Sequence, residues 1–329
     1  MTCHRSTRRA ASAALFCSAL LPAAGWSADL TLGLPIDCAL GDSCYIQQYV
    51  DADPGPGAQD YHCGSLSYDG HKGTDFALPS LAAMRAGVDV LAAAPGTVTA
   101  LRDGMADRIA SPETDAEIAG RECGNGVVID HGDGWETQYC HLKSGSVTVR
   151  EGQEIAEGAV LGQVGLSGQT QFPHVHLSVR HDGQVIDPFA PDATTCGAAP
   201  ATDLWQDSPP YVPGGLIAAG FATRVPAYTA VKDGTAAETG LTRSAPALVL
   251  FGYAYGGRQG DVVEITINGP RGQVIRHSEG LERNRAQLFR AAGKRQPTGG
   301  WPAGRYIGIV ELIRGGQVID RKRAELTLD

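Results

Sequence analysis

Gly165–Arg180 reads GLSGQTQFPHVHLSVR, and its second half decides the fold. From His174 onward apolar residues alternate with others, the pattern of a strand with one buried face. Side chains on a strand point to opposite faces in turn, so His174 and His176 share one face while Val175, Leu177 and Val179 take the core. Pro173 stands where the strand begins, and the Gly- and Ser-containing run before it suits an exposed loop at the rim of a cleft. Two imidazoles on one rigid face can divide labour, one holding a metal and the other moving protons. Alone, His-x-His reads equally as two solvent-facing strand histidines, so partners elsewhere decide.

Outward from this stretch the same grammar repeats. Gly126–Asp130 and Glu136–Leu142 alternate and are joined by His131-Gly132-Asp133-Gly134, a strong hairpin signal. Val88–Ala94 runs into Pro95-Gly96 and resumes as Thr97–Leu101, and Val147–Arg150 and Val160–Val164 flank two further Glu-Gly turns. Asp103–Glu122 is acid-rich and irregular, a surface insertion. Short strands, Gly turns and no long helical period predict an antiparallel β domain. Beyond a Pro-, Ala- and Gly-rich linker, six further strand candidates recur at even spacing between Ala245 and Leu328, which predicts an immunoglobulin-like β-sandwich. The expected fold class is therefore all-β. The expected parts are a signal (1–28), a lead-in (29–59), a first β domain (60–192), a linker (193–215) and the sandwich (216–329), read as an accessory module.

The start of the chain has the form of a secretory signal. Arg5, Arg8 and Arg9 precede the apolar run Ala10–Ala24, with small residues at Gly25 and Ala28 where cleavage is expected. A run of fifteen residues is too short to span a bilayer, and no later segment is apolar enough. Removal takes three Arg and no acid, moving the net charge from −9 to −12. Such a surface does not suit nucleic acid or an anionic membrane. Six cysteines remain, an even number in an exported chain, which reads as three disulfides. Cys38 and Cys44 flank a tight Gly-Asp-Ser turn, and Cys123 and Cys140 face each other across the hairpin. Cys63 with Cys196 follows by elimination.

Two more clusters carry chemistry. His71-Lys72-Gly73-Thr74-Asp75 places His71 and Asp75 four apart, on one face of a strand, and Gly70 and Gly73 speak against a helix. Tyr139-Cys140-His141-Leu142 ends a hairpin strand. Alternation puts His141 on the face of Tyr139 and turns Cys140 away, free for a structural bridge and unsuited to act as a nucleophile beside a histidine base.

His-x-x-x-Asp, Tyr-x-His-Leu and His-x-His, in that order within one exported β domain, resemble the lysostaphin/LytM-type zinc metallopeptidases. Gly73–Ala77, Ala93–Val98, Val128–Gly132, Gly152-Gln153, Gly158–Gly162, Gly165–Gly168 and Asp187-Pro188 are similar to blocks of that family. The likeness covers about Tyr61–Pro191. It implies that His71, Asp75 and His176 hold Zn²⁺ and that His141 and His174 are catalytic. Two His and one carboxylate leave a fourth position open, as a catalytic zinc requires. Either His141 or His174 could take a proton from water while the other donates to the developing oxyanion. The resemblance further implies an endopeptidase of the periplasm or outside the cell, acting on stem or cross-link peptides of bacterial peptidoglycan. The alternative is a non-catalytic LytM-type domain that binds wall or activates a partner amidase, a type expected to lack some of these five residues. Two departures from the family pattern, the long Leu78–Val90 link and the Asp103–Glu122 insertion, bear on the shape of the groove.

Overall fold

In a computed structural model, which describes residues 1–2, 30–197 and 202–329, the chain is almost entirely antiparallel β. The signal expected over 1–28 lies outside the described residues, apart from the first two. Among the described residues no helix is long and apolar enough to cross a membrane.

The first unit contains β1 (Tyr45–Gln48), β2 (Thr74–Ala77), α1 (Leu81–Ala86), β3 (Asp89–Leu91), β4 (Gly96–Arg102), α2 (Asp115–Ile118), β5 (Asn125–Gly132), β6 (Trp135–Leu142), β7 (Glu154–Ile155), β8 (Val160–Gln163), β9 (His174–His181) and β10 (Gln184–Ile186). Its main sheet runs β1-β2-β9-β6-β5-β4-β7, with β10 paired to β9, while β3 and β8 form a separate ribbon. β9 lies between β2 and β6, so the strand of the His pair is central. Val175, Leu177 and Val179 are fully buried, as the alternation predicts. Their face of the sheet packs with Phe76, Ile129 and Tyr139 into one core.

That core reaches beyond the expected boundaries. Leu30, Leu32, Ile36, Ile46 and Tyr49 all join it, and β1 pairs with β2 at the sheet edge. The lead-in shows little periodicity because it buries a polar residue: Gln47 is enclosed and donates to the carbonyl of Ala286. The stretch read as linker likewise sends Leu204 and Trp205 into the same core, and Trp205 bridges to Leu32.

The second unit contains β11 (Gly215–Ala222), α3 (Tyr228–Asp233), β12 (Ala247–Gly257), β13 (Val262–Gly269), β14 (Gly272–Gly280), β15 (Arg285–Arg295), β16 (Gly304–Arg314) and β17 (Gln317–Leu328). Seven strands form two sheets, β11-β12-β15 and β14-β13-β16-β17, over a shared core that includes Leu250, Ile265, Tyr306 and Val310. This is the sandwich expected from the spacing. The fourth strand pairs with the third instead of the fifth, so the sheets divide three and four. β11 escapes sequence reading because Gly-Leu-Ile-Ala-Ala-Gly-Phe-Ala is small and apolar without alternation, being covered at both of its ends.

All three expected disulfides are present: Cys38–Cys44, Cys63–Cys196 and Cys123–Cys140. The loops they close differ greatly, with sequence separations of 6, 133 and 17 residues. If the constraint acts on the unfolded chain, paired Cys→Ser replacement of Cys63 and Cys196 should cost about 5 kcal/mol, against about 2 kcal/mol for Cys38 and Cys44. Urea unfolding of the three double variants would give the ranking. A larger loss at Cys38–Cys44 would refute the loop-entropy account.

Candidate active site

The site is built on one cross-strand register. In the β2–β9 ladder Asp75 lies opposite His176 and Ala77 opposite His174, while Phe76 and Val175 pair on the core face. His71 comes just ahead of β2, in irregular chain after the Asp69-Gly70 turn. It therefore lies outside the strand expected to carry both it and Asp75. The chain passes so close to β9 that a Cβ at Gly73 would sit 2.6 Å from the ring of His176 and 2.5 Å from the Leu177 carbonyl. Only glycine fits there.

His71, Asp75 and His176 converge, each offering one ligand atom within 4.8 Å of the others. His71 Nε2 is 3.2 Å from Asp75 Oδ1, His176 Nδ1 is 2.8 Å from the same oxygen, and the two nitrogens are 3.1 Å apart. Hydrogen bonds on the far side of each ring imply the tautomers. His71 Nδ1–H donates to the Tyr49 carbonyl at 2.7 Å, which leaves Nε2 with a bare lone pair. Ser178 Oγ spends its hydrogen on the Lys72 carbonyl at 2.8 Å, so it accepts from His176 Nε2–H at 3.1 Å, and His176 Nδ1 is bare. Two lone pairs and a carboxylate oxygen thus face one another in a buried pocket. A cation resolves that repulsion, and this donor set suits zinc. Burial opposes charge on His71, but the neighbouring Asp75 outweighs it and raises the pKa, so a proton competes for the same position. Burial would also raise Asp75, yet the surrounding histidines hold it well below the usual carboxylate range.

The other two expected residues stand beside this trio. His174 Nε2 is 3.4 Å from Asp75 Oδ1, and its Nδ1–H donates to the Phe172 carbonyl at 2.9 Å. The rings of His141 and His174 are 4.6 Å apart. His141 Nδ1–H donates to the Ser167 carbonyl at 2.8 Å, so its Nε2 is the free acceptor. Burial, reinforced by His174 and His176, pushes its pKa well below the ordinary value and keeps the ring neutral.

His141 does not take the face that alternation predicts for it. Tyr139 and His141 do not share one: Tyr139 is fully buried in the core, its hydroxyl meeting the Ala93 amide and Thr137, whereas His141 joins the site. Cys140 lies opposite His176 in the β6–β9 register and so belongs to the site face, not the far one. Between the pairs Asn125–Leu142 and Val127–Tyr139 two residues of β6 oppose one of β5, a β-bulge, and His141 has φ +65°. The bulge re-aims a side chain that simple alternation would send inward. The Cys123–Cys140 bond and the bond from the His141 amide to the Cys123 carbonyl, 2.8 Å, hold that backbone in place.

Sequence reasoning missed the groups that orient the rings. Ser178 was findable, two residues after His176 and hence on its face, but the carbonyls of Tyr49, Ser167 and Phe172 carry no residue-type signal. The Asp103–Glu122 insertion is also more than surface. Asp107 accepts from the Leu166 amide at 2.7 Å, Ala110 donates to the Thr170 carbonyl at 2.8 Å, and Gln169 donates to the Glu122 carbonyl at 2.8 Å. It braces the Gly165–Gln171 loop that carries the carbonyl orienting His141. His62, by contrast, stacks on Tyr211 at 4.2 Å and is not a partner of these five residues.

Comparison with known proteins agrees with this geometry. Residues 69–188 match the model of Peptidase family M23, a span that takes in all five site residues. Cell division protein DipM of Caulobacter vibrioides is 40% identical over 68 residues, 21% of this chain and 11% of that protein. Peptidoglycan DD-endopeptidase ShyA of Vibrio cholerae is 26% identical over 136 residues, 41% of this chain and 26% of its own length. DD-carboxypeptidase/endopeptidase Mpg of Neisseria meningitidis is 33% identical over 122 residues, 36% and 22% of the two chains. The chain thus spans about a quarter or less of each relative. Its matched segment, in which His71, Asp75, His141, His174 and His176 gather around β2, β9 and β6, is a Peptidase family M23 domain of the LytM type.

Proposed function

We propose that this chain is a zinc-dependent endopeptidase that hydrolyses peptide bonds in bacterial cell-wall peptidoglycan, in the periplasm or outside the cell. The observation that supports it most is the buried meeting of two bare imidazole nitrogens and one carboxylate oxygen within 4.8 Å, with two further histidines beside them. The name of ShyA points to the same substrate class and that of Mpg to endopeptidase activity, and the three disulfides suit an exported protein.

His71, Asp75 and His176 would hold the metal. Zn²⁺, when bound, supplies Lewis-acid activation of water near pH 7. His141, neutral and with Nε2 free, is suited to accept the proton that the attacking water gives up. His174, its Nδ1–H fixed on Phe172, presents Nε2 toward the site, from where a protonated ring would donate to the developing oxyanion or the leaving amine. The carbonyls of Ser167 and Phe172 keep both rings in place between turnovers.

Incubation of the mature chain with purified peptidoglycan, with mass analysis of the fragments, tests the reading. New amino termini should appear, vanish after chelation and return with zinc. Wall binding without release would instead support a binding or amidase-activating domain. His176→Ala should lose the bound zinc and all turnover. His141→Ala should keep one zinc per chain while kcat falls about a hundred- to ten-thousand-fold. Ser178→Ala, which frees the His176 tautomer, should weaken zinc binding about 10- to 100-fold with the fold intact, measured by competition with a chromogenic chelator. Unchanged zinc affinity in that variant would remove Ser178 from the account.

A further inference from the structure

The groove in front of the catalytic histidines has two walls, and the second belongs to the sandwich. A cleft of about 590 Å³ is lined by Asp75, His141 and His174 from the first unit and by Tyr228, Lys232 and Arg285 from the second. The second wall is fixed firmly. Tyr45 and Ala77 of the first unit share an apolar cluster with Ile217, Val231, Tyr253 and Tyr255 of the second. Gln287 donates to Gln47 at 3.0 Å, and Arg85 on α1 holds Asp233 on α3 through two bonds of 2.8 and 3.1 Å.

The two units carry opposite charge. Residues 30–215 hold 8 Lys and Arg against 25 Asp and Glu, a net −17, whereas residues 216–329 hold 16 against 10, a net +6. An acidic domain by itself repels a peptide bearing carboxylates. Lys232 and Arg285 are the basic residues of the cleft lining, and among the described residues neither has an ion-pair partner. Lys232 Nζ sits 5.4 Å from the centre of the Tyr228 ring, which steadies the ammonium without neutralising it. Tyr228 in turn stacks on Phe289, with ring centres 5.2 Å apart.

We infer that the sandwich is the substrate-positioning half of the groove, and that Lys232 and Arg285 hold a free carboxylate of the peptide whose bond lies before His141 and His174. The inference rests on the peptidase reading above and adds the class of ligand: an anionic peptide. Two cations on separate elements, one on α3 and one at the start of β15, line the same cleft and offer charge-assisted donors to a carboxylate there.

The test is binding to the mature, zinc-loaded His141→Ala chain, in which the peptide stays uncut. The probes are a synthetic stem pentapeptide ending in D-Ala-D-Ala and the same peptide with every carboxyl group converted to carboxamide, followed by calorimetry. The free acid should bind about tenfold more tightly than the amide, and the gap should narrow as salt is added. In K232Q/R285Q the gap should vanish with amide affinity and zinc content unchanged, and K232R/R285K should restore it. Equal affinities in the parent, a gap that survives in K232Q/R285Q, or a matching loss of amide binding would each overturn the inference. Should the charge-dependent gap hold while the wild-type chain releases no fragments from peptidoglycan, the peptidase reading falls and the carboxylate site stands.

Discussion

The pairing of β2 with β9, with Asp75 opposite His176, is the constraint on which the site depends. Because side chains alternate, a slip of one residue would carry Asp75 to the core face and bring Phe76 or Thr74 out. The register is held from the apolar side, where Phe76, Val175 and Leu177 are all fully buried. Core packing and placement of the donor atoms are therefore one decision made on two faces of the same strands. The edge strand β1 adds to this: it pairs with β2, and the chain leaving it presents the Tyr49 carbonyl that orients His71.

Much of this was legible in the sequence. Alternation in His174–Val179 named both the core face and the site face, and four-residue spacing joined His71 to Asp75. Even cysteine number with hairpin geometry gave the disulfides. The reading failed where backbone departs from period two. His141 sits on a bulge with positive φ, which residue types do not announce, so its face was assigned wrongly. His71 fared better for a different reason: it lies outside β2, yet a turn and Gly73 bring it to the face the spacing suggested.

The remaining gaps are tertiary. Gln47 and β11 look unremarkable in sequence because their partners are distant in the chain, in the other unit or in the neighbouring strand. The two stretches that lengthen the first unit likewise acquire meaning only when folded. Leu78–Val90 supplies α1, whose Ser80 caps the helix and whose Arg85 reaches the sandwich. Asp103–Glu122 supplies the props for the loop behind His141.

The apolar cluster shared by the two units bears on how this chain could have been assembled over time. Tyr45, Ala77 and Tyr255 each bury surface against residues of the opposite unit. Cutting the gene between them would uncover that surface on both fragments, and each would be prone to stick to other chains. Joining that sandwich to a foreign partner, or this first unit to a foreign tail, would need both contact faces rewritten at once. The two units are accordingly matched to each other through this shared surface, and neither is freely exchangeable.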